Sequence, residues 1–378
     1  MKRNAIAMRP DWRARIEAQG LLFHKTHDNA VYWGEGTYYE FTAGEADAIE
    51  RATRELHALC VDAVGALVER GRLGELGLSP LAIALVERSW REQPPSLYGR
   101  FDLALGDGVP KMLEYNADTP TSLLEAAVTQ WTWLAEAFGD GDGVVDQQNR
   151  LHEALLATWR ELAPRLGDLV HFACVDDIED RMTVGYLRDT AEQAGLATAE
   201  LAIADLGWDA SQSLLVDLTG RPIHSLFKLY PWEGLVLDRL APVLPRLQLA
   251  WLEPAWKMVL SNKAILPLLW ELYPGHPNLL PASREPGQVG AAFVRKPMLG
   301  REGANVTVVA PGVEVATAGP YVGAGYVYQA YAELGDFAGM RPVIGSWVIG
   351  GAPAGIGIRE TPGYVTSNTA RFVPHVVR

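Results

Sequence analysis

The spacing of hydrophobic residues in the first part of the chain is helical in some segments and alternating in others. Thr42 and Glu45 have the spacing of a capping box, and apolar residues then recur at helical intervals as far as Gly71, which predicts one long helix. Ser79 followed by Pro80 is the pattern of a second helix start. Two further helices are predicted, over roughly 120–138 and 146–165.

Two early segments alternate apolar and polar residues around glycines, which predicts β-hairpins. The first is AVYWGEGTYYEF, residues 30–41, where aromatic and β-branched residues surround two glycines. The second is SLYGRFDLALGDGVPKMLEYN, residues 96–116, where an alternating strand reaches a GDG turn and a second strand returns. The second hairpin carries Arg100, Asp102 and Glu114, three of the charged residues discussed below.

The pattern changes near residue 168. DLVHFACV predicts a buried strand, EDRMTVGYLRDTAEQAG an amphipathic helix, and ATAELAIADL another strand, so this region is a βαβ unit typical of a parallel sheet. SLLVDLTGRPIHSLFKLY predicts a hairpin that turns at TGRP, and EPAWKMVLSNKAILPLLWELYPGHP predicts one helix or two abutting ones. Short strands and glycine-rich turns follow after about residue 285. We expect an α/β (α+β) protein with parts at 1–165, 166–254 and 255–378.

Composition narrows the classes of protein that this chain can belong to. It has 378 residues and a formal net charge of −13, so nucleic acid is a poor partner, whereas a cationic small molecule is tolerated. The first residues lack the apolar segment of a signal peptide, and no stretch of about 18 uncharged apolar residues occurs, so we expect no membrane span. Cys60 and Cys174 lie in apolar surroundings, which indicates buried reduced thiols and a cytoplasmic location.

Oxygen-bearing side chains repeat at every second position of the second hairpin. Glu114 and Asn116 share a face of the returning strand, and Asp102 and Arg100 share a face of the outgoing strand. Hard oxygen ligands of this kind suit Mg²⁺, which combines one or two protein carboxylates with phosphate and water. The alternative is a solvated strand face with a salt bridge from Arg100, and the pattern alone favours that alternative.

The stretch FVRKPMLGREGANVTVV, residues 293–309, combines two cations with two loop glycines. Lys296 ends a strand, and Arg301 lies between Gly300 and Gly303 in the loop that follows. Such a loop brings backbone N–H groups close to a ligand, and the cations suit a triphosphate. The stretch is not a Walker A loop, because that spacing and the following helix are absent. The alternative is an ordinary surface hairpin.

Several other polar residues are weak signals when each is taken alone. Lys263 lies beside an apolar helical run, Gln329 lies in the alternating strand YVYQAYAEL, and Arg359 ends the glycine-rich strand GAPAGIGI. The eight histidines have no zinc-binding spacing, which favours structural roles for them. No arrangement of Ser, His and Asp or of Cys and His indicates a nucleophile.

Seven segments taken together, in chain order, resemble the glutathionylspermidine synthase family. They are GRFDLALGDGVPKMLEYNADTPTSLLEA, FKLYPWEGL, EPAWKMVLSNKAILPLLWELYP, FVRKPMLGREGANV, YVYQAY, GIGIRE and NTARFVPH. The resemblance is closest to stand-alone synthetase-like members without the amidase domain, and it implies an ATP-grasp fold with a pre-ATP-grasp-like βαβ region. It also implies a ligase that uses ATP and Mg²⁺ to form an amide through an acyl phosphate.

The resemblance assigns roles to individual residues. It implies magnesium ligands at Asp102, Glu114 and Asn116. Lys263 and Lys296 match lysines on the nucleotide phosphates, the residues from Gly300 to Gly303 match a mobile lid, and Gln329 falls in the adenine-contacting strand. Arg100, Arg301 and Arg359 match arginines around the transferred phosphate, and Arg100 also lies near the carboxylate substrate.

On the substrate side the chain departs from the family pattern. Thr119 and Thr121 stand where small hydroxyl residues are expected, and Glu179 and Asp180 lie near the acidic substrate contacts. The segment FKLYPWEGL keeps Lys228, Trp232 and Glu233 but lacks the hydroxyls of the bifunctional enzymes. A peptide-like carboxylate and a cationic amine or polyamine are therefore expected, with their identities open. Other ATP-grasp ligases, phosphorylation that stops at the acyl phosphate, and a non-catalytic nucleotide-binding protein remain alternatives.

Overall fold

Helices and strands are interleaved over the whole chain. The computed structural model describes residues 1–26, 29–139, 145–321, 323 and 325–378. Within these residues the α-helices are α1 (Trp12–Ala18), α2 (Ala43–Glu69), α3 (Pro80–Glu92), α4 (Gln130–Phe138), α5 (Leu151–Leu162), α6 (Ile178–Gln193), α7 (Trp232–Leu235), α8 (Met258–Ser261) and α9 (Ile265–Leu272). None of these described helices combines the length and the apolar character that crossing a membrane requires.

The strands of the described residues fall into five sheets. In chain order they are β1 (Lys2–Ala5), β2 (Thr37–Phe41), β3 (Tyr98–Ala104), β4 (Lys111–Asn116), β5 (Val170–Cys174), β6 (Thr198–Ala202), β7 (Gly207–Asp209), β8 (Leu214–Val216), β9 (Ser225–Leu229), β10 (Ala250–Leu252), β11 (Ala282–Ser283), β12 (Phe293–Pro297), β13 (Thr307–Ala310), β14 (Val313–Ala316), β15 (Tyr326–Ala330), β16 (Arg341–Ile349), β17 (Ala352–Thr361), β18 (Arg371–Val373) and β19 (His375–Val377). The expectation of a mixed α/β architecture is therefore confirmed.

The antiparallel sheet that carries the charged hairpin has the order β18-β17-β16-β3-β4. The hairpin predicted over 96–116 is confirmed as β3 and β4. Strand β3 continues the sheet by pairing with β16, so strands from the two ends of the chain share one sheet. Helix α2 packs on β16 and β17 from one side. This sheet crosses the expected parts at 1–165 and 255–378, whose boundaries stay predictions.

A second sheet is entirely parallel, with the order β10-β9-β5-β6. Helix α6 connects β5 to β6, which confirms the predicted βαβ unit. The hairpin predicted at TGRP is wrong beyond its turn. The turn forms, and Val216 bridges Pro222, but β9 leaves it to run between β5 and β10. Every residue of β9 is buried, as expected for a central parallel strand.

A third sheet has the order β11-β15-β12-β13-β14. It lies next to the charged hairpin, and Gln329 on β15 donates a hydrogen bond to the carbonyl of Met112 on β4. Strands β12 and β13 are joined by the glycine-rich loop, residues 298–306. The strand content predicted after residue 285 is confirmed.

The hairpin predicted over 30–41 is wrong. Only Thr37–Phe41 forms a strand, β2, and its partners are β1 at the start of the chain and β19 at its end. The turn itself forms, since the Thr37 N–H donates to the Gly34 carbonyl at 3.2 Å, but long-range pairing replaced pairing across it. The fifth sheet consists of β7 and β8 alone.

The predicted helix starts and buried thiols are confirmed. Thr42 and Glu45 form a reciprocal capping box at the start of α2, and the Ser79 hydroxyl caps α3. The buried face of α2 includes Ile49, Leu56 and Cys60 in the larger core cluster. Each fully buried aliphatic side chain of this kind contributes roughly 1.5–3 kcal/mol to folding. Both cysteines are buried and free.

Candidate active site

The β3–β4 hairpin presents two carboxylates opposite each other. Asp102 pairs with Glu114, and Arg100, two residues before Asp102, pairs with Asn116, two residues after Glu114. The amide Nδ2 of Asn116 donates to Glu114 Oε1 at 3.1 Å. A bulge directly after Asp102 shifts the strand register, so Asp102 pairs with Glu114 whereas the next residue, Leu103, pairs with Met112. The predicted oxygen-bearing face therefore exists.

Asp102 lies between two arginines. Arg100 Nε donates to Asp102 Oδ1 at 2.8 Å, and an Nη of Arg359 donates to Asp102 Oδ2 at 2.6 Å. The salt bridge of the alternative interpretation is present, but the face is not solvated, because the Arg100 and Asp102 side chains are only 8% and 7% exposed. Burial alone would lower the pKa of Arg100, but the Asp102 carboxylate more than offsets it, so the pKa is raised.

Two lysines from later segments approach Glu114. Lys263 Nζ lies 3.0 Å from Glu114 Oε2 and also donates to the Gly300 carbonyl at 2.6 Å. Lys296 Nζ donates to Gln329 Oε1 at 2.7 Å and to the Leu113 carbonyl at 2.9 Å. Burial raises the pKa of Glu114, but Lys263 and Lys296 more than compensate, so the pKa is lowered overall. Burial lowers the pKa of Lys296 to about 8.

These residues line a cleft between the third sheet and the charged hairpin. Its polar residues include Asp102, Glu114, Lys263, Lys296 and Gln329, and the glycine-rich loop borders it. Its apolar walls are Leu113, Val294, Val306, Val308, Leu334 and Val343. We call this space the first chamber. Apolar walls together with two ammonium groups suit an aromatic ring with phosphates attached.

A second chamber continues from the first. It is lined mainly by polar residues and is bounded by the ends of β5 and β9 and the start of α6. Its lining includes all three predicted arginines together with Asn116, Thr119, Thr121, Glu179 and Asp180. Asp102, Glu114 and Gly303 line both chambers. Every residue that the sequence predicted for the site thus borders one of two connected chambers, and the two carboxylates lie where the chambers meet.

The glycine-rich loop is held in close contact with both sides of the cleft. Gly303 has φ of +69°, and a Cβ there would lie 2.6 Å from Val365 Cγ1 and 2.7 Å from the Thr366 carbonyl oxygen. Only glycine fits this position without displacement. On the other side of the loop, Arg301 donates to the Thr119 hydroxyl at 3.0 Å and to Glu233 Oε1 at 2.6 Å.

The wall of the second chamber is acidic. The Thr121 hydroxyl donates to Glu179 Oε1 at 2.7 Å, and the Thr121 carbonyl accepts from an Nη of Arg100 at 2.7 Å. Asp180 lies next to Glu179 in the first turn of α6. Burial, reinforced by the nearby carboxylates of Glu179 and Asp177, raises the pKa of Asp180 to about 7. This wall suits a cation.

Sequence reasoning missed several residues around the chambers. Asp118 and Lys228 form a fully buried ion pair of 2.7 Å, and Asp118 also accepts from the backbone N–H of Trp232. Glu233 binds Arg301. The only sequence signal for these contacts is the segment FKLYPWEGL, which contains Lys228, Trp232 and Glu233 but does not indicate what they bind. Within the described part of the chain, the buried Thr366 hydroxyl, at the junction of the chambers, has no hydrogen-bond partner.

The donor set at the junction fits a hard divalent cation. Two carboxylates and one carboxamide face one region, which is the protein contribution that Mg²⁺ usually takes. Asp102 Oδ1 and both Glu114 oxygens each contact one cation or amide and keep a second lone pair, whereas Asp102 Oδ2 accepts from Arg359 at 2.6 Å and from Arg100 at 3.5 Å. Among the described residues no group of three or more His, Cys, Asp or Glu side chains is arranged to hold a metal by itself. A metal here would therefore need phosphate or water oxygens as well.

The architecture belongs to a known class. The structure of a glutathione synthetase-like effector from Globodera pallida superposes with a TM-score of 0.63, covering 97% of this chain and 96% of that one. The two sequences are 12% identical, so the similarity establishes a common glutathione synthetase-like fold and nothing about activity.

Sequence comparison then gives the family. The profile of the family "Glutathionylspermidine synthase preATP-grasp" matches residues 3–378, and the chain belongs to this family. A Haemophilus influenzae protein named "Putative acid--amine ligase" is 42% identical over 99% of both chains. The Escherichia coli bifunctional glutathionylspermidine synthetase/amidase is 28% identical, and the alignment covers 90% of this chain but 59% of that enzyme. Trypanothione synthetase of Crithidia fasciculata is 29% identical over 76% of this chain and 48% of its own length. The resemblance stated from the sequence is confirmed.

Proposed function

We propose that this protein is an ATP-dependent carboxylate–amine ligase with an ATP-grasp fold. One observation carries the proposal: a chamber suited to a nucleotide opens into a polar chamber, and Asp102 and Glu114 border both. A ligase needs this arrangement because the terminal phosphate of ATP must meet the substrate carboxylate. The names of the relatives support the same reaction class. The proposal assigns nucleotide binding to residues 255–378, with 166–254 as the pre-ATP-grasp-like region and 1–165 contributing the hairpin.

In this proposal the first chamber binds ATP. Lys263 and Lys296 bind the phosphates, since both side chains line the chamber and Lys263 lies 3.0 Å from Glu114. Gln329, whose Oε1 accepts from Lys296 Nζ at 2.7 Å, lies on β15 beside the aliphatic walls, and in this proposal adenine packs between those walls and contacts this strand. Gly300 and Gly303 allow the loop to cover the phosphates closely.

Asp102, Glu114 and Asn116 would hold Mg²⁺, whose chemistry at this position is to neutralise phosphate charge and polarise the γ-phosphate. The protein side of that site is preformed, because both carboxylates are fixed by strand pairing and by ion pairs. Phosphate oxygens would compete for the same cations that now bind the carboxylates. The residues of the junction therefore exchange partners and need no large movement.

The reaction proceeds in two transfers. A carboxylate oxygen of the first substrate attacks the γ-phosphorus of ATP, the bond to ADP breaks, and an acyl phosphate forms. The amine nitrogen then attacks the acyl carbon, phosphate leaves, and the amine loses a proton. Arg100, Arg301 and Arg359 line the second chamber, where negative charge builds up during both steps. The loop at Arg301 excludes water, which would otherwise hydrolyse the acyl phosphate.

The substrates are inferred from the walls of the second chamber. Arg100 and the hydroxyls of Thr119 and Thr121 suit a peptide-like carboxylate donor. Glu179 and Asp180 suit a cationic amine, which the names of the glutathionylspermidine and trypanothione relatives also favour. The departures around FKLYPWEGL argue that the donor differs from glutathione in part of its structure.

The test is a screen for ADP release with purified protein, ATP and Mg²⁺ across pairs of peptides or amino acids and amines. We expect release that requires both a carboxylate and a polyamine, and a product whose mass is the sum of the two minus water. A response to amino acids in place of polyamines would overturn the acceptor assignment. A measurable ATP affinity with no ADP formed by any pair would instead favour a nucleotide-binding protein without turnover.

A further inference from the structure

Arg301 of the glycine-rich loop is held at one edge by residues outside the loop. Its two terminal nitrogens donate to Thr119, in the segment after β4, and to Glu233, at the start of α7. Two of the five guanidinium N–H groups are used in these contacts, so three remain for a ligand. The guanidinium borders the second chamber while it is held.

Glu233 is itself fixed in place. The preceding residue, Trp232, donates its backbone N–H to Asp118 at 2.8 Å and its indole N–H to the Glu253 carbonyl at 2.9 Å. Asp118 is fully buried and is paired with the fully buried Lys228. The residue next to Glu233 is therefore held by buried contacts that connect the parallel sheet, through Lys228, to the segment after the charged hairpin, through Asp118.

The loop has two further anchors, one on each side of Arg301. The Gly300 carbonyl accepts from Lys263, and Gly303 packs against the backbone at Thr366. Of the three contacts, the one at Arg301 is the only ion pair within the described loop residues. Although burial by itself lowers the pKa of Arg301, the Glu233 carboxylate outweighs it and raises that pKa, so the pair stays charged.

We propose that Glu233 is a positioning residue that orients the Arg301 guanidinium toward the second chamber and keeps the glycine-rich loop closed over the junction. This inference goes beyond the proposed ligase activity, and its activity arm rests on that proposal. Without the carboxylate, the loop opens more often, and Arg301 samples several orientations. Water then reaches the acyl phosphate more easily, so ATP is consumed without amide formation.

The first test does not depend on activity, because Arg301 is a trypsin site. We compare the rate at which trypsin generates the new N-terminus at Glu302 in the wild-type protein and in Glu233→Gln, read by mass spectrometry. Loss of one partly exposed ion pair should raise this rate about fivefold. Glu271→Gln is the matched control, since it removes a carboxylate from a surface pair with Arg72 away from the cleft. Equal cleavage rates in Glu233→Gln and the wild type would overturn the proposal.

A double-mutant cycle keeps the test valid if either variant is less stable. Arg301→Lys leaves a trypsin site but cannot form the same two-armed contact. If Glu233 acts through Arg301, adding Glu233→Gln to Arg301→Lys should change the cleavage rate less than twofold. Additive effects of the two substitutions would contradict the inference.

The activity arm measures ADP formed per amide formed with whichever substrate pair the screen identifies. Glu233→Gln should raise this ratio at least threefold while the KM for ATP changes less than twofold, because Glu233 does not border the first chamber. A raised KM for ATP with an unchanged ratio would mean that Glu233 acts on the nucleotide site instead. If no pair gives turnover, the proposed function fails, and the proteolysis result still decides the role of Glu233.

Discussion

Replacing Glu114 by Gln separates a role in chemistry from a role in stability. The substitution keeps the shape of the side chain and removes the charge that lies 3.0 Å from Lys263. The Glu114 side chain is 25% exposed, so it is not the exposed strand carboxylate that its position near a turn would indicate. A pair that is neither fully exposed nor fully buried contributes on the order of 2 kcal/mol. The expected fall in Tm is therefore no more than about 6 °C.

The expected effect on turnover is much larger. Losing one group that stabilises developing charge costs roughly 10²–10³-fold in kcat, which corresponds to about 3–4 kcal/mol. We expect kcat to fall at least this much, and we expect the residual activity to need a higher Mg²⁺ concentration for half-maximal rate. The assay follows ADP release as a function of Mg²⁺ concentration. A residual activity with the wild-type Mg²⁺ dependence would refute the assignment of Glu114 as a metal ligand.

Glu360→Gln is the matched control. Glu360 is also a strand carboxylate, and it pairs with Arg3 and Arg371 outside both chambers. Its loss should lower Tm at least as much as the loss of Glu114, because its side chain is fully buried. The Mg²⁺ dependence of turnover should stay at the wild-type value. If both variants change the Mg²⁺ dependence alike, the effect of Glu114→Gln is a general one on stability.

Three further predictions concern charge and loop closure. Lys296 has a pKa of about 8, so its positive charge is lost as pH rises through this value. The Kd for ATP, measured by calorimetry, should therefore increase above pH 8, and Lys296→Arg should make the Kd less dependent on pH. Asp180 has a pKa of about 7, so its negative charge is lost as pH falls through this value. The KM for a cationic amine should therefore rise as the pH is lowered from 8 to 6, and Asp180→Asn should abolish this change. Gly303→Ala should lower kcat at least about tenfold, because the added Cβ meets Val365, whereas Gly312→Ala, equally strained at φ of +73° but with open space around it, should not.

The parts of the site that the residue pattern alone predicted are local. The pairing of Asp102 with Glu114 follows from strand periodicity and a recognisable turn, so two residues 12 positions apart could be placed face to face. The approach of Lys263 and Lys296 to Glu114 has no local signal, because it depends on how three separate segments pack. Only the resemblance to a family brought those lysines to the same ligand. The pair of Glu233 and Arg301, from separate segments, was not predicted at all.

The two wrong hairpins have a common physical cause. In each case a turn sequence predicted that the two segments beside it pair with each other. The strand that follows the turn instead pairs with strands from distant parts of the chain. Strand β2 has partners at both ends of the chain, and such partners cannot be chosen from local alternation. All five residues of β9 are buried, as in a central parallel strand, but Ser225 and Lys228 interrupt the apolar run that would have indicated such a strand from the sequence.

The convergence of the cations on Asp102 depends on a glycine that the sequence did not single out. Gly345 on β16 lies opposite Asp102, and a Cβ at Gly345 would lie 2.9 Å from Cδ of Arg100. A Cβ there would force the Arg100 side chain to shift from its present position beside Asp102. The Arg100 guanidinium also lies over the Trp347 ring, at 5.7 Å from its centroid, so it is supported on the same strand. Since Arg359 reaches Asp102 from β17, on the far side of β16, the narrow profile of β16 at Gly345 is what lets two arginines from different parts of the chain bind one carboxylate.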